Sequence, residues 1–253
     1  MATKTARKRK SSVVDSEIEE SLQVNWSLSS FKVKKPFHFN EKHKAVYDCI
    51  KQDDTNMVLV DGPAGSAKSY LGVLAALELL QERKMKSIIY IRSVVESASR
   101  SIGALPGEVD DKFMPYAMPL IEKVQEITDN TTCSYLQSLG VLKAIPVNFV
   151  RGLTFNDAIV IVDEIQNLDL KECITILTRF GKNTKYILCG DSFQSDIDKA
   201  SCLSKIFEAF NTPLSKEHGI NCFKFGESEI VRSKILKYIV KVLETIPTLS
   251  TSK

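Results

Sequence analysis

The sequence has no long apolar run. Its apolar stretches, such as residues 159–162, are far shorter than the roughly 20 residues that a helix needs to cross a bilayer. The amino terminus, MATKTARKRK, lacks the apolar segment of a secretory signal peptide. We therefore expect a soluble, intracellular protein with no membrane partner. The chain has 253 residues, 43% of them hydrophobic, which is enough to bury a core and excludes disorder throughout.

Metal-binding patterns of cysteine and histidine are also missing. The six cysteines include no CxxC pair, and none has a histidine partner at metal-ligand spacing. A structural zinc site is therefore not expected, and we predict reduced thiols in the core.

The net charge of +3 is unevenly distributed. Residues 1–10 carry five bases and no acid, so the other 243 residues hold 29 of the 34 bases against 31 acids and are near neutral. Such a basic arm either contacts nucleic acid phosphates or is simply solvated.

The composition predicts one domain flanked by two tails. Residues 1–24 are polar and charged without periodicity and are interpreted as a flexible tail, residues 25–247 as the domain, and residues 248–253 as a second tail. Within residues 31–44, lysines alternate with phenylalanine and histidine. This segment either stacks bases or an adenine ring, or buries its phenylalanines beneath a rim of lysines.

From residue 57 onward, short β-branched runs alternate with helical stretches, a pattern typical of parallel strands joined by crossover helices. The runs are continuously apolar, which favours a sheet covered on both faces. We predict an α/β fold: one phosphate-loop NTPase domain with a mainly parallel sheet, helices on both faces and a helical insertion near 108–140. The predicted strands are 57–61, 87–91, 158–163, 185–191 and 221–225, and the predicted helices are 68–84, parts of 108–140, 169–180, 199–211 and 229–246.

The first predicted strand leads into a glycine-rich loop that precedes a helix, the context of a phosphate-binding loop. Its backbone N–H groups and the positive end of the helix attract an anion. Lys68 would neutralise the β- and γ-phosphates of ATP, and the Ser69 hydroxyl would bind Mg²⁺. The alternative is a glycine-rich turn without a ligand. The candidate nucleotide-binding residues are Gly62, Pro63, Ala64, Gly65, Ser66, Ala67, Lys68 and Ser69.

One loop position departs from the usual pattern GxxxxGK[ST], because Ala67 stands where the glycine before the lysine is usual. If Ala67 lies in the first helical turn, its φ is negative and alanine costs no backbone strain. On this interpretation we expect nucleotide binding to be weakened but not abolished.

Two further strands end in polar residues at the same predicted edge of the sheet. In IVIVDEIQN, Asp163 would order Mg²⁺ and Glu164 would orient or deprotonate the attacking water, although the pair would also serve as a helix cap. In GDSFQ, Gln194 would sense the γ-phosphate, unless this segment is only a turn.

With these motifs in this order, the chain resembles the PhoH-like family, phosphate-loop ATPases that are related to the superfamily 1 helicase core and common in bacteria and bacteriophages. The resemblance covers about residues 40–242. Its most specific parts are the LPG element near Leu105 and the RGLTFNDA run that leads into Asp163. The motifs that carry it are GPAGSAKS, IRSVVESASRSIGALPGEVDDKFMPYAMPL, RGLTFNDAIVIVDEIQN, LTRFG and GDSFQSD.

The resemblance implies roles for two residues outside these motifs. His43 stands where family members often have an adenine-contacting glutamine. Arg232 matches the family's late arginine, which stabilises charge on the γ-phosphate within the chain or across a subunit boundary; the alternative is an ordinary surface arginine. The resemblance further implies a homo-oligomer, such as a hexameric ring, in the cytoplasm, or in the host cytoplasm if a bacteriophage encodes it. No nuclease domain is expected before the loop.

The leading hypothesis is an Mg²⁺-dependent ATPase coupled to remodelling of single-stranded nucleic acid, with RNA favoured over DNA. The second is a nucleotide-gated scaffold or binding module with little or no hydrolysis, which the Ala67 substitution favours. A small-molecule kinase has less support, because no lid-like arginine cluster is present. Arg92 and Arg151 would contact a nucleic acid backbone or form salt bridges to Glu96 or Asp157.

Overall fold

The computed structural model describes residues 31–34, 38–92, 109–195, 197 and 201–245. The chain divides into two units, Met1–Phe31 and Lys32–Lys253, and every helix and strand named here lies in the second. The predicted tails, the basic arm and the LPG element lie outside the described residues.

The described part of the second unit contains a six-stranded sheet in the order β3-β2-β4-β5-β1-β6, in which each neighbouring pair is parallel. The α/β prediction is thereby confirmed. The strands are β1 (Met57–Asp61), β2 (Ser87–Arg92), β3 (Leu142–Pro146), β4 (Ala158–Asp163), β5 (Thr184–Gly190) and β6 (Ile220–Lys224).

Helices cover both faces of this sheet. One face packs into a core cluster with Cys173, Ile176 and Leu203, to which β5 contributes Tyr186 and Leu188. Ile187 points the other way and meets Gly72 of the helix that follows the loop. The helices are α1 (Glu41–Lys51), α2 (Lys68–Gln81), α3 (Val109–Ile127), α4 (Asn130–Ser138), α5 (Leu170–Leu177), α6 (Leu203–Phe210), α7 (Pro213–Glu217) and α8 (Lys234–Glu244).

Side chains cap the amino ends of most of these helices. The N-cap residues of α1, α4, α5, α7 and α8 each accept a hydrogen bond from the backbone two or three residues into the helix, as short polar side chains do. These N-caps are Asn40, Asp129, Asp169, Thr212 and Ser233. Helix α2 differs, because its N-cap is Ala67, which has no side-chain acceptor.

The structure corrects the predicted helical insertion. Residues 109–138 form α3 and α4, but the chain then enters β3, which pairs with β2 at one edge of the sheet. The segment is therefore a crossover of the main sheet. Strand β3 was missed because the sequence LKAIP is short, contains lysine and has mostly half-buried positions, so it lacks the apolar run of a central strand. The short helix α7 was missed as well.

The six cysteines are free; five of them are buried and Cys222 is half-buried. In the described ranges no group of three or more histidine, cysteine, aspartate and glutamate side chains could hold a metal ion. None of the helices in these ranges has the length and apolar character needed to span a membrane.

The parallel arrangement brings the carboxyl ends of the strands to one edge. Asp61 is in register with Gly190 on β5, and Arg92 is in register with Asp163 on β4. Open α/β sheets bind ligands at this edge. The fold therefore gathers the three predicted motifs, although 132 positions separate Gly62 from Gln194 in the sequence.

Candidate nucleotide site

A cavity of about 550 Å³ lies at the carboxyl edge of the sheet, within the size range of small-molecule sites. Residues of all three predicted motifs line this cavity, and so does Arg232. The cavity is lined by Ala64, Gly65, Ser66, Ala67, Lys68, Ser69, Tyr70, Arg92, Pro119, Lys123, Glu126, Asp163, Glu164, Gly190, Asp191, Gln194, Val231 and Arg232.

The Lys68 ammonium lies over the loop that precedes it. It donates to the carbonyl oxygens of Gly62 at 2.5 Å and Pro63 at 2.9 Å. Ser66 closes the same turn, since its hydroxyl donates to Pro63 O at 2.7 Å. These contacts place a positive charge at the loop, where a phosphate group would find both the ammonium and the loop N–H groups.

Ser69 and Asp163 are brought together as predicted. Ser69 Oγ donates to Asp163 Oδ1 at 2.6 Å, and Tyr90 OH donates to Asp163 Oδ2 at 2.6 Å. Burial, followed by the Asp163 charge, raises the pKa of Tyr90, so the phenol keeps its proton and remains a donor. Tyr90 was missed in the sequence; its only signal is a hydroxyl inside an apolar strand.

The donor set at this point fits Mg²⁺. A hydroxyl and a carboxylate are the hard oxygen ligands that this ion prefers, and Ser69 and Asp163 supply them at the edge of the cavity. Asp163 is buried, with its second oxygen oriented by Tyr90. Ser69 and Asp163 are thus the residues that would hold the ion.

The conformation of Ala67 contradicts the sequence prediction. Its φ is 61° and its ψ is 18°, so it is left-handed and lies at the N-cap, not in the first helical turn. The chain needs a sharp reversal here to leave the loop and enter α2, and glycine adopts this conformation more readily than alanine. The predicted negative φ was wrong, and alanine strains the backbone at this position.

Replacing Ala67 by glycine is expected to raise the free energy of unfolding by up to about 1 kcal/mol, because the left-handed conformation costs an L-residue roughly 1–2 kcal/mol and the greater freedom of glycine in the unfolded chain offsets part of the gain. Denaturant unfolding without nucleotide measures the change. Ala64→Gly is the matched control, because Ala64 does not share the left-handed conformation, and it should lower stability. If Ala67→Gly lowered the free energy of unfolding as much as Ala64→Gly does, Ala67 would not be strained.

Gly62 and Gly65 are required by close packing as well as by the turn. A Cβ on Gly62 would lie 2.5 Å from Phe225 Cβ, and one on Gly65 would lie 2.5 Å from Leu236 Cδ2. Gly65 also has a φ of +78°. The segment that follows β6 therefore packs directly against the phosphate loop, which the sequence did not indicate.

Glu164 faces the cavity in a constrained geometry. Its φ is 55°, its Oε1 lies 3.7 Å from an Arg92 guanidinium nitrogen, and its Oε2 accepts a hydrogen bond of 2.6 Å from Gln166 Nε2. Glu164 occupies the N-cap position of the 3-10 helix Ile165–Asn167, but its side chain makes no capping hydrogen bond there, and the side chain that caps α5 is Asp169. Arg92 thus pairs with Glu164, and Asp157 pairs with Lys86.

Gln166 joins the two strand-end motifs. Its side chain is almost fully buried, and while Nε2 contacts Glu164, Oε1 accepts from Asp191 N at 3.0 Å. Nε2 also lies 3.4 Å from Gln194 O. Gln166 therefore connects Glu164 to the Asp191–Gln194 segment by hydrogen bonds.

Gln194 and Arg232 both line the cavity and are exposed. Asp191, at the base of the same segment, is buried, and this burial raises the pKa of its carboxyl group. Arg232 of this chain reaches the cavity because the preceding residue, Val231, donates its backbone N–H to Gly65 O at 3.0 Å.

His43 does not line the cavity. Its side chain is fully buried, and Nε2 lies 3.2 Å from both Ser66 O and Glu229 O. Burial lowers the pKa of His43 below its usual value, so the ring is neutral near pH 7. The predicted contact of His43 with adenine is therefore not possible in this structure, because the imidazole ring has no exposed surface. The ring instead contacts the phosphate loop at Ser66 O.

Several lining residues were not among the predicted nucleotide-binding residues. Tyr70 follows the loop, Lys123 and Glu126 lie one turn apart on α3, and Val231 precedes Arg232. They share no motif, and only the packing of α3 and of the segment after β6 brings them to the cavity.

A family model described as PhoH-like protein matches residues 38–244. The chain belongs to the PhoH-like family. The PhoH-like match contains the loop, both strand-end motifs and Arg232, and it confirms the resemblance found in the sequence.

Similar PhoH-like proteins come from several bacteria. The PhoH-like protein of Bacillus subtilis (strain 168) is 30% identical over 243 residues, which cover 96% of this chain and 73% of that protein. The PhoH-like protein of Mycobacterium tuberculosis (strain ATCC 25618 / H37Rv) is 36% identical over 57% of this chain and 41% of its own length. Protein PhoH of Escherichia coli (strain K12) is 29% identical over 72% of this chain and 51% of its own length.

Proposed function

We propose that this protein is an Mg²⁺-dependent ATPase that couples hydrolysis to the remodelling of RNA or single-stranded DNA. The observation that carries the proposal is the convergence of Lys68, the Ser69–Asp163 pair and Glu164 on one cavity. A cation, a pair of magnesium ligands and a carboxylate beside them are the parts that phosphoryl transfer to water requires.

Each of these residues has a separate task in the proposed reaction. The loop N–H groups and Lys68 bind the β- and γ-phosphates, while Ser69 and Asp163 hold the metal ion. Mg²⁺, when bound, neutralises charge on the phosphates and the leaving group. Glu164, kept in place by Gln166 and Arg92, orients the attacking water and accepts its proton. Arg232 stabilises the negative charge that develops on the transferred group.

The link through Gln166 supports coupling of hydrolysis to a second ligand. Gln166 contacts Glu164 on one side and the Asp191–Gln194 segment on the other. Loss of the γ-phosphate would change what Gln194 contacts, and the adjacent Phe193 is 63% exposed. An exposed aromatic ring beside a nucleotide sensor suits a base of a single strand, which stacks on such rings.

Charge near α1 also supports a nucleic acid partner. Lys32, Lys34, Lys42 and Lys44 are exposed, while Phe39 packs against His43 and Tyr47. Phe39 is half-buried by these contacts while the lysines are exposed, so the lysines would contact phosphates and not bases.

The surface supports the further proposal of a homo-oligomer, such as a hexameric ring. Helix α8 exposes an apolar stripe made of Ile235, Tyr238, Ile239, Val242 and Leu243. Stripes of this kind mark interaction sites. An ATP substrate and six free thiols support a cytoplasmic location, or the host cytoplasm if a bacteriophage encodes the protein.

Phosphate release from ATP and Mg²⁺, with and without single-stranded RNA or DNA, tests this proposal. We expect the nucleic acids to raise turnover several-fold at low salt, and the effect to fall steeply as salt increases, because phosphate contacts release counterions. A polyanion without bases, such as heparin, is the matched control and should stimulate less. Basal turnover that neither RNA nor DNA changes would exclude the coupling.

The strain at Ala67 favours one alternative function, a nucleotide-gated scaffold that binds ATP with little hydrolysis. A distorted loop would hold the phosphates in a poorly aligned position. ATP binding without phosphate release, restored to turnover by Ala67→Gly, would support this alternative.

A further inference from the structure

Glu229 is a buried carboxylate outside the predicted motifs. It ends the 3-10 helix Glu227–Glu229, between β6 and α8, and is 2% exposed. Its Oε2 accepts from Gly226 N at 2.7 Å, and its Oε1 accepts from Ser228 Oγ at 2.7 Å and Asn40 Nδ2 at 2.9 Å. Burial raises the pKa of the Glu229 carboxyl group, but these hydrogen bonds and the charge of Lys42 lower it by more. The net pKa is below the usual value, so the group is ionised.

Glu229 makes two contacts that are not part of the local capping of its 3-10 helix. The Gly226 and Ser228 contacts close the 3-10 helix. The contacts with Asn40 Nδ2 and with Lys42 Nζ, at 3.5 Å, reach the start of α1, almost 190 positions away in the chain. Glu229 therefore joins α1 to the segment that follows β6.

The same segment is attached to the phosphate loop. His43 Nδ1 lies 3.3 Å from the donating Asn40 N–H, so Nε2 carries the ring proton and faces the carbonyl oxygens of Ser66 and Glu229. Two residues further on, Val231 N donates to Gly65 O. The side chains of Ile230 and Arg232 lie against the space where Gly65 lacks a Cβ.

We propose that Glu229 is a positioning residue, whose buried carboxylate holds residues 226–232 against the phosphate loop and thereby keeps Arg232 at the cavity. The inference rests on the proposed function, because Arg232 acts there on the transferred phosphate. Two hydrogen bonds carry the proposal: one joins Asn40 at the start of α1 to Glu229, and the other joins Val231 to Gly65 of the loop. Arg232, which follows Val231 in the chain, lines the cavity.

Glu229→Gln is the principal test. The variant keeps the shape but places an amide N–H₂ where the carboxylate accepts from donors, so at least one contact becomes repulsive. Glu227→Gln is the matched control, with the same change of charge in the same 3-10 helix. We expect Glu229→Gln to lower kcat by about 10- to 100-fold, as small misplacements of catalytic groups do, with a smaller effect on KM. Glu227→Gln should leave both unchanged.

A double-mutant cycle with Arg232→Ala separates positioning from general stability. If Glu229 acts through Arg232, Glu229→Gln should have an effect of less than about twofold in the Arg232→Ala background, because interacting residues are not additive. An equal loss in both backgrounds would overturn the proposal. Should Glu229→Gln fail to fold, Asn40→Ser keeps the N-cap of α1 but removes the amide donor to Glu229, and the same cycle applies.

Hydrogen exchange distinguishes failure of this inference from failure of the proposed function. The Val231 amide should exchange at least about tenfold faster in Glu229→Gln than in Glu227→Gln, whether or not the wild type hydrolyses ATP. Equal exchange in the two variants would overturn the positioning role. Absence of phosphate release in the wild type would overturn only the proposed function.

Discussion

Glu164→Gln is expected to bind ATP with nearly wild-type affinity and to release phosphate at least about 100-fold more slowly, since a general base contributes roughly 10²–10⁴ to rate. The amide has the same shape as the carboxylate but cannot accept the proton of the attacking water. Its carbonyl oxygen still accepts the hydrogen bond from Gln166 Nε2, so the Asp191–Gln194 segment should keep its position.

Single-turnover phosphate release and the affinity for a fluorescent ATP analogue measure the two halves of this prediction. Glu122→Gln is the matched control, because Glu122 is exposed on α3 and does not line the cavity. Glu164→Gln with wild-type turnover would show that another group accepts the proton. Reduced affinity for ATP in this variant would show that the Glu164 carboxylate contributes to nucleotide binding.

Lys68→Ala is expected to lose both ATP binding and turnover. Charge-assisted hydrogen bonds contribute about 1.5–3 kcal/mol each, so the affinity for ATP should fall by about 10- to 100-fold or more. The folded state without nucleotide should be little affected, because the Lys68 ammonium donates to the carbonyl oxygens of Gly62 and Pro63 in its own loop and does not join distant elements through these bonds.

Calorimetric titration of ATP and Mg²⁺ measures the affinity, and thermal unfolding without nucleotide checks the fold. Lys216→Ala is the control, since Lys216 is exposed on α7, outside the cavity lining. Wild-type affinity for ATP in Lys68→Ala would show that the Lys68 ammonium does not contribute to binding the phosphates.

The strand-end motifs were predictable because they depend on local patterns. Continuous apolar runs ending in Asp61, in Asp163 and in Gly190 indicate buried parallel strands, and parallel strands bring their carboxyl ends to one edge. The pairing of Ser69 with Asp163 follows from this arrangement. Strand β3 was not predictable in the same way, since an edge strand need not be apolar on both faces.

The errors concern residues whose conformation depends on distant packing. Ala67 was expected to cost no backbone strain if it lay in the first helical turn, yet it is the N-cap of α2 and is left-handed. His43 was assigned to the adenine ring on the basis of its position in the chain, but the fold buries it between Ser66 and Glu229. Neither arrangement has a signal in the neighbouring sequence.

The α/β class, the family, the phosphate loop with Lys68 and the order of the acidic motifs could all be predicted from the amino-acid sequence. These properties follow from side-chain type and spacing over fewer than about 20 residues, where periodicity and turn chemistry act. Only the packing of distant segments shows that Tyr90 donates to Asp163, that Gln166 joins two motifs, and that Glu229 joins α1 to the segment that contains Arg232. Burial and long-range hydrogen bonds exist only after distant segments pack together, so their energies cannot be assigned from neighbours in the chain.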